Sequence, residues 1–162
     1  MSNTAESVEI NCFGCGPTNP LGLKLMFDTD HDECRATFAL GSDYESYPGV
    51  IHGGIVATIL DETMAQAVYR YSASSAFTVG LRIRYAQPVA TGVSHIAFAK
   101  ITPAHNAVVQ ASGRILRETG ELVAAATGSF YSISENGLEA MRLKSGNDST
   151  DPAYQRTIEG ER

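Results

Sequence analysis

Apolar and polar positions change rhythm several times along the chain. LKLMFDTD (23–30) and ECRATFAL (33–40) are short strand-like runs either side of His31 and Asp32, which predicts two strands joined by a tight turn. GSDYESYPG (41–49) is rich in turn formers and predicts a loop. From about Gly54 to Tyr71 the spacing becomes helical. At 100° per residue Val56, Ile59, Leu60, Met64, Ala67 and Tyr71 share one broad apolar arc, with Thr58, Glu62, Gln66 and Tyr69 opposite. SASSA breaks that helix. FTVGLRIRYAQPV (77–89) then alternates, with Leu81, Ile83 and Tyr85 on one face and Arg82 and Arg84 on the other. SHIAFAKITPAH, NAVVQASGRILRE and ELVAAATGSFYSI predict three more strands, with hairpin turns at His105–Asn106 and at ETGE.

The layout is two strands, one long helix and four strands, an α+β fold with an antiparallel sheet. With no second long helix to cover it, the helix is best buried by a sheet curling round it. Residues 1–11 read as a flexible leader and 12–133 as one domain opened by the turn-rich CFGCGPTNPLG. Residues 134–162 read as a polar, Gly/Asp/Ser-rich tail with little fixed structure.

Composition narrows the function. At 162 residues and 43% hydrophobic, the chain can build one core without staples. A net charge of −6 and no Lys/Arg run argue against nucleic acid and against a basic membrane-surface helix. The first eleven residues lack a secretory pattern and no apolar run reaches bilayer length, so a cytoplasmic location is expected. Three cysteines then read as reduced thiols.

The chemistry gathers in HGGIVATILDE (52–62). Asp61 lies at the edge of the apolar arc beside Ala57, Ala65 and Val68, whereas Glu62 faces the polar side and reads as solvated. A partly buried carboxylate is costly unless paired or used. Small neighbours leave space beside it, although a mid-helix acid can also be a local capping or pairing group. Gly53 and Gly54 open the helix without side chains, which either permits a tight turn or leaves amides free to hold an oxyanion. His52 is either a structural hydrogen-bonding group or part of that site. Asp61 follows His52 by nine residues (61 − 52), roughly 13 Å along the axis, so one chain cannot bring both groups to one substrate. Two antiparallel chains could, and a two-fold dimer would carry two such sites.

HGGIVATILDE, TVGLRIRYAQPV and CFGCGPTNPLGLKL together resemble the hotdog-fold thioesterases of the PaaI-type, 4-hydroxybenzoyl-CoA-thioesterase-like superfamily, over roughly residues 12–132. The resemblance implies a curved antiparallel sheet around one central helix and a homodimer as the minimal unit, with a dimer of dimers left open. It implies hydrolysis of an acyl-CoA thioester without cofactor or metal. Asp61 takes the position of the general base or nucleophile, and Gly53 and Gly54 that of the amides polarising the carbonyl. Thr78 matches the residue that helps hold the water, and His52 positions the loop or the carbonyl. Many relatives carry Asn six residues before the His, as a second thioester contact; Ser46 stands there. Arg84, His105 and Asn106 are the candidates for contacts to the CoA phosphates.

Other readings are distinguishable. Cys12, Cys15, His31 and Cys34 can be written as a Cys₃His zinc set. A hotdog protein that binds acyl-CoA without hydrolysing it differs by releasing no thiol. No G-x-S-x-G elbow, P-loop or dinucleotide fingerprint is present.

Overall fold

In a computed structural model of the chain, the structure describes residues 11–102 and 108–133. By contacts the chain divides into two compact units, Met1–Ser132 and Ile133–Arg162. The described elements lie in the first, except for Ile133 at the end of the last strand. Residues 1–10 of the expected leader and the expected tail lie outside the described residues, as do His105 and Asn106.

The elements run β1 (Asp28–Asp30), β2 (Glu33–Phe38), a 3-10 turn (Ser42–Tyr44), β3 (Glu45–Tyr47), β4 (Val50–Ile51), α1 (Gly53–Ser72), β5 (Ser75–Tyr85), β6 (His95–Thr102), β7 (Val108–Arg117) and β8 (Leu122–Ile133). Six strands form one sheet in the order β1-β2-β6-β7-β8-β5. The β1–β2 hairpin turns at His31 and Asp32, both at positive φ, as a two-residue turn that follows strand twist requires. The β7–β8 turn closes through Arg117 N–H to Glu121 O and Gly120 N–H to Arg117 O.

Two expectations change. Leu23 to Phe27 are not in a strand, although Leu23 and Leu25 are buried. Their amides instead donate to Phe13 O and Gly14 O (2.8 and 2.9 Å) and fold the cysteine-bearing turn back over the molecule. The expected loop at 41–49 contains β3 and leads into β4, a small hairpin tied by Ile51 N–H to Val89 O and His52 N–H to Tyr44 O.

The sheet receives the helix because its concave face is lined by small side chains. Cys34, Ala99, Gly113 and Ala126 form one cross-strand rung, and Ala36, Ala97, Ile115 and Ala124 the next, all buried. Met64 and Leu60 of α1 drop into this trough, and both are fully buried. A Cβ on Gly113 would lie 3.2 Å from Met64 Cγ and 3.4 Å from Leu60 Cδ2. The close approach therefore depends on having no side chain there. On the far face Arg114 makes a two-pronged pair with Glu33 (2.7 and 2.8 Å) while lying 4.6 Å over the Phe98 ring, bracing β7 to β2 across β6. That guanidinium holds the Glu33 carboxyl below its ordinary range.

Tyr71 departs from the helical arc and is 69% exposed. It lies in the last turn of α1 and borders a cavity of about 760 Å³ beside Thr29 and Arg70. Gly113→Val is expected to destabilise the fold by about 1–3 kcal/mol through overpacking against Met64, read as a lower urea midpoint with an unchanged m-value.

Candidate active site

Helix α1 presents chemistry at two places. Its start is capped by His52, whose backbone is extended (φ −58°, ψ 135°) and whose Nδ1 accepts the Gly54 N–H at 2.9 Å. The folded-back ring requires glycine at 54, since a Cβ there would come within 3.0 Å of Nδ1. With Nδ1 accepting, a neutral His52 carries its proton on Nε2. The same contact engages one of the two amides that the sequence offers as free donors. The Gly53 amide donates to no protein acceptor among the described residues. Gly53 O accepts the Tyr85 hydroxyl at 2.9 Å, fixing the helix tip to the end of β5.

Around that tip lies a cavity of about 390 Å³ bordered by Ser46, Tyr47, Gly53, Tyr85 and Gln87. The structure thus brings Ser46 and Gly53 to one pocket. The alternation along the strand placed Tyr85 with Leu81 and Ile83 but gave it no part in the site, and it passed over Gln87. The available signal was the Tyr-x-x-Pro ending of the strand, which carries both.

About two turns on, the Asp61 carboxylate accepts the Thr78 hydroxyl at 2.7 Å, from β5. Asp61 is half-buried, and burial pushes its carboxyl above the ordinary range. The Thr78 bond opposes the shift and the Glu62 charge adds to it. Only Oδ1 is engaged in this bond, which leaves a lone-pair face for a water. Asp61 and Thr78 do not border the cavity of Gly53, and eight residues of helix separate Gly53 from Asp61 (61 − 53), roughly 12 Å. Arg84 lies elsewhere again, with Arg82 and Thr127 along an open groove of about 280 Å³; neither arginine makes an ion pair among the described residues.

Glu62, expected to be solvated, is half-covered by the Cys12–Cys15 turn, with Cys12 Sγ 3.6 Å from Oε2. The helical angle places Glu62 opposite the sheet correctly but says nothing of a distant segment folding over it. Burial first, then Glu62 beside it, pushes the Cys15 thiol up. The written Cys₃His set does not assemble: His31 and Cys34 border the cavity near Arg70 instead.

The thioesterase superfamily's family model matches residues 48–124. An uncharacterised protein of Schizosaccharomyces pombe is 31% identical over 103 residues, which cover 60% of this chain and 59% of that protein. The matched part thus spans less than two thirds of that relative's length. A Bacillus halodurans protein solved with CoA is 33% identical, with 60% of this chain and 70% of that one covered and a TM-score of 0.55. The PaaI protein of the Escherichia coli phenylacetic acid degradation operon is 18% identical, with 69% and 81% covered and a TM-score of 0.63, a likeness of fold. The helix and its enclosing sheet are those of a hotdog-fold protein. Part of the chain, residues 48–124, thus resembles the thioesterase superfamily.

The electrostatics of Asp61 give a pH-dependent prediction. A carboxyl whose pKa is raised by folding favours the folded state only while protonated, and that contribution is lost as pH rises through the raised value. Asp61→Asn is therefore expected to raise the melting temperature above the ordinary carboxylate range, with the difference vanishing at low pH. A melting series from pH 3 to 8 checks this. Thr78→Val should push the Asp61 carboxyl further up, read by NMR titration of its side chain.

Proposed function

We propose that the protein hydrolyses an acyl-CoA or related thioester to the free acid and thiol, at sites each shared by two copies of the chain. The observation that carries this is the placement of the two half-sites along β5. Thr78, with Asp61, lies towards its start; Tyr85, with Gly53, lies at its end. β5 is an edge strand of 11 residues with Phe77, Val79, Leu81 and Tyr85 exposed. An unprotected apolar edge of that length is a template for pairing. Antiparallel pairing of β5 with its copy about a two-fold axis sets the start of one strand against the end of the other. Asp61 of one chain then faces Gly53 of the partner subunit.

In this reading the Gly53 amide takes the thioester carbonyl oxygen. Ser46 and Gln87 border the pocket where a second contact would fall. Asp61 removes a proton from a water oriented with the help of Thr78, and the water oxygen attacks the carbonyl carbon. Negative charge passes to the carbonyl oxygen at the Gly53 amide. Collapse breaks the C–S bond, and the leaving thiolate recovers the proton from Asp61. The raised carboxyl pKa suits a base that must also return its proton. The relative solved with CoA supports a CoA ester as substrate. Arg82 and Arg84, without an ion pair among the described residues, are cations that could meet its phosphates. A cytoplasmic setting suits such a substrate, and no described helix is long and apolar enough to cross a membrane.

Two variants separate the halves of the site. Asp61→Asn should abolish turnover. Gly53→Pro removes the amide N–H at a helix-starting position where Pro is well accommodated, after a residue already in a pre-proline conformation. It should lower kcat by about 10²–10³. Co-expressing the two dead chains should restore hydrolysis, because a mixed dimer holds one site with both groups intact. Mixed dimers with no activity would rule out the shared site. A screen over acyl chain lengths and aryl-CoA esters in which CoA binds but no thiol is released would favour a non-hydrolytic binding protein instead.

A further inference from the structure

The face of α1 carrying Glu62 holds a second cluster of chemistry, independent of the thioesterase reading. Cys12 and Cys15 sit on a tight turn closed by Gly16 N–H to Cys12 O at 2.9 Å, and the Gly14 N–H donates to Cys12 Sγ at 3.2 Å. The turn lies so close to the helix that a Cβ on Gly14 would be 2.7 Å from the Glu62 carboxylate. The two sulfurs and a Glu62 oxygen all lie within 4.8 Å of one another. Gln66, one helical turn on, has its amide 3.8 Å from Cys15 Sγ and 3.5 Å from Glu62 Oε1.

No cation balances this cluster: among the described residues Glu62 makes no ion pair with Lys, Arg or His. The half-covered carboxylate is met only by neutral groups, accepting from the Cys12 thiol and the Gln66 amide, and has no counter-charge among the described residues. Such negative surroundings also disfavour the thiolate that a redox dithiol or nucleophile would need. A divalent cation reverses both effects. The C-x-x-C spacing, the amide directed at the first sulfur and the nearby carboxylate make a mixed sulfur and oxygen ligand set. Such a set selects a zinc-class ion over oxygen-seeking magnesium or calcium. Metal–sulfur and metal–oxygen bonds of about 2.3 and 2.1 Å put tetrahedral sulfur and oxygen ligands about 3.6 Å apart, which is the Cys12–Glu62 separation of 3.6 Å.

We propose that Cys12 Sγ, Cys15 Sγ and a Glu62 carboxylate oxygen bind a zinc-class divalent ion, with a water held by Gln66 in the fourth position. The ion clips the Cys12–Gly22 segment to the back of α1, one residue from Asp61. Binding displaces one proton from each thiol to solvent, so affinity rises with pH.

The test is cobalt(II) titration of the full-length, reduced, chelator-treated protein. Saturation at one cobalt per chain is expected, with a thiolate-to-cobalt charge-transfer band, tetrahedral visible bands and displacement by zinc. The C12S/C15S variant, its fold checked by far-UV circular dichroism, should lose the charge-transfer band. E62Q keeps both thiols and should weaken binding at least about tenfold, and Q66A by about 10–100-fold. Absence of saturable binding, spectra unchanged in C12S/C15S, or an unchanged affinity in E62Q would overturn the proposal. None of these readouts depends on thioester hydrolysis.

Discussion

The depth at which α1 sits in the sheet governs everything else in this protein. Met64 and Leu60 reach the floor of the trough because Gly113 and a run of alanines leave room. That close approach fixes the height of the helix above β7, and so its height beside β5. Thr78 then meets Asp61 and Tyr85 meets the carbonyl of Gly53. Dispersion and burial in the trough set the position. The two hydroxyl contacts register it along β5.

Adjacent carboxylates on one helix have different surroundings for a geometric reason. Asp61 and Glu62 are 100° apart around the axis. Asp61 turns towards β5, where burial raises its carboxyl pKa and a single hydroxyl holds one oxygen. Glu62 turns towards the Cys12–Cys15 turn, where two thiols and the Gln66 amide approach it. The sheet side yields a group suited to accepting and returning a proton. The outer side yields a group that lacks a counter-charge among the described residues.

A single chain presents both halves of the proposed hydrolytic site without joining them. The amide at the helix tip and the carboxylate two turns on lie near opposite ends of a strand whose outer edge has no partner among the described residues. In the proposed reading, the pairing that would shield this edge is also the one that would bring the halves together. Assembly and activity would then share one interface.

Much of the fold was legible in the chain because it rests on local periodicity. The helix, expected from about Gly54 to Tyr71, spans Gly53–Ser72; the strands at 33–38, 95–102, 108–117 and 122–133 fall within the predicted runs, and β5 (75–85) begins two residues before its run and ends four residues short of it. The partial burial of Asp61 followed from helical angle alone. Other features depended on segments far apart in sequence. Glu62 read as solvated because nothing in its own neighbourhood shows a turn some fifty residues earlier lying over it. Tyr71 read as core because periodicity does not reveal where the sheet stops. The Gly54 amide read as free because the fold-back of the His52 ring is a matter of side-chain geometry. The sequence by itself determined which residues could do chemistry and which face of the helix meets the sheet, since both follow from residue type and a fixed rise and turn per residue. Only the tertiary structure decided which of them meet, because contact across long chain separations is set by packing depth and by where covering segments end.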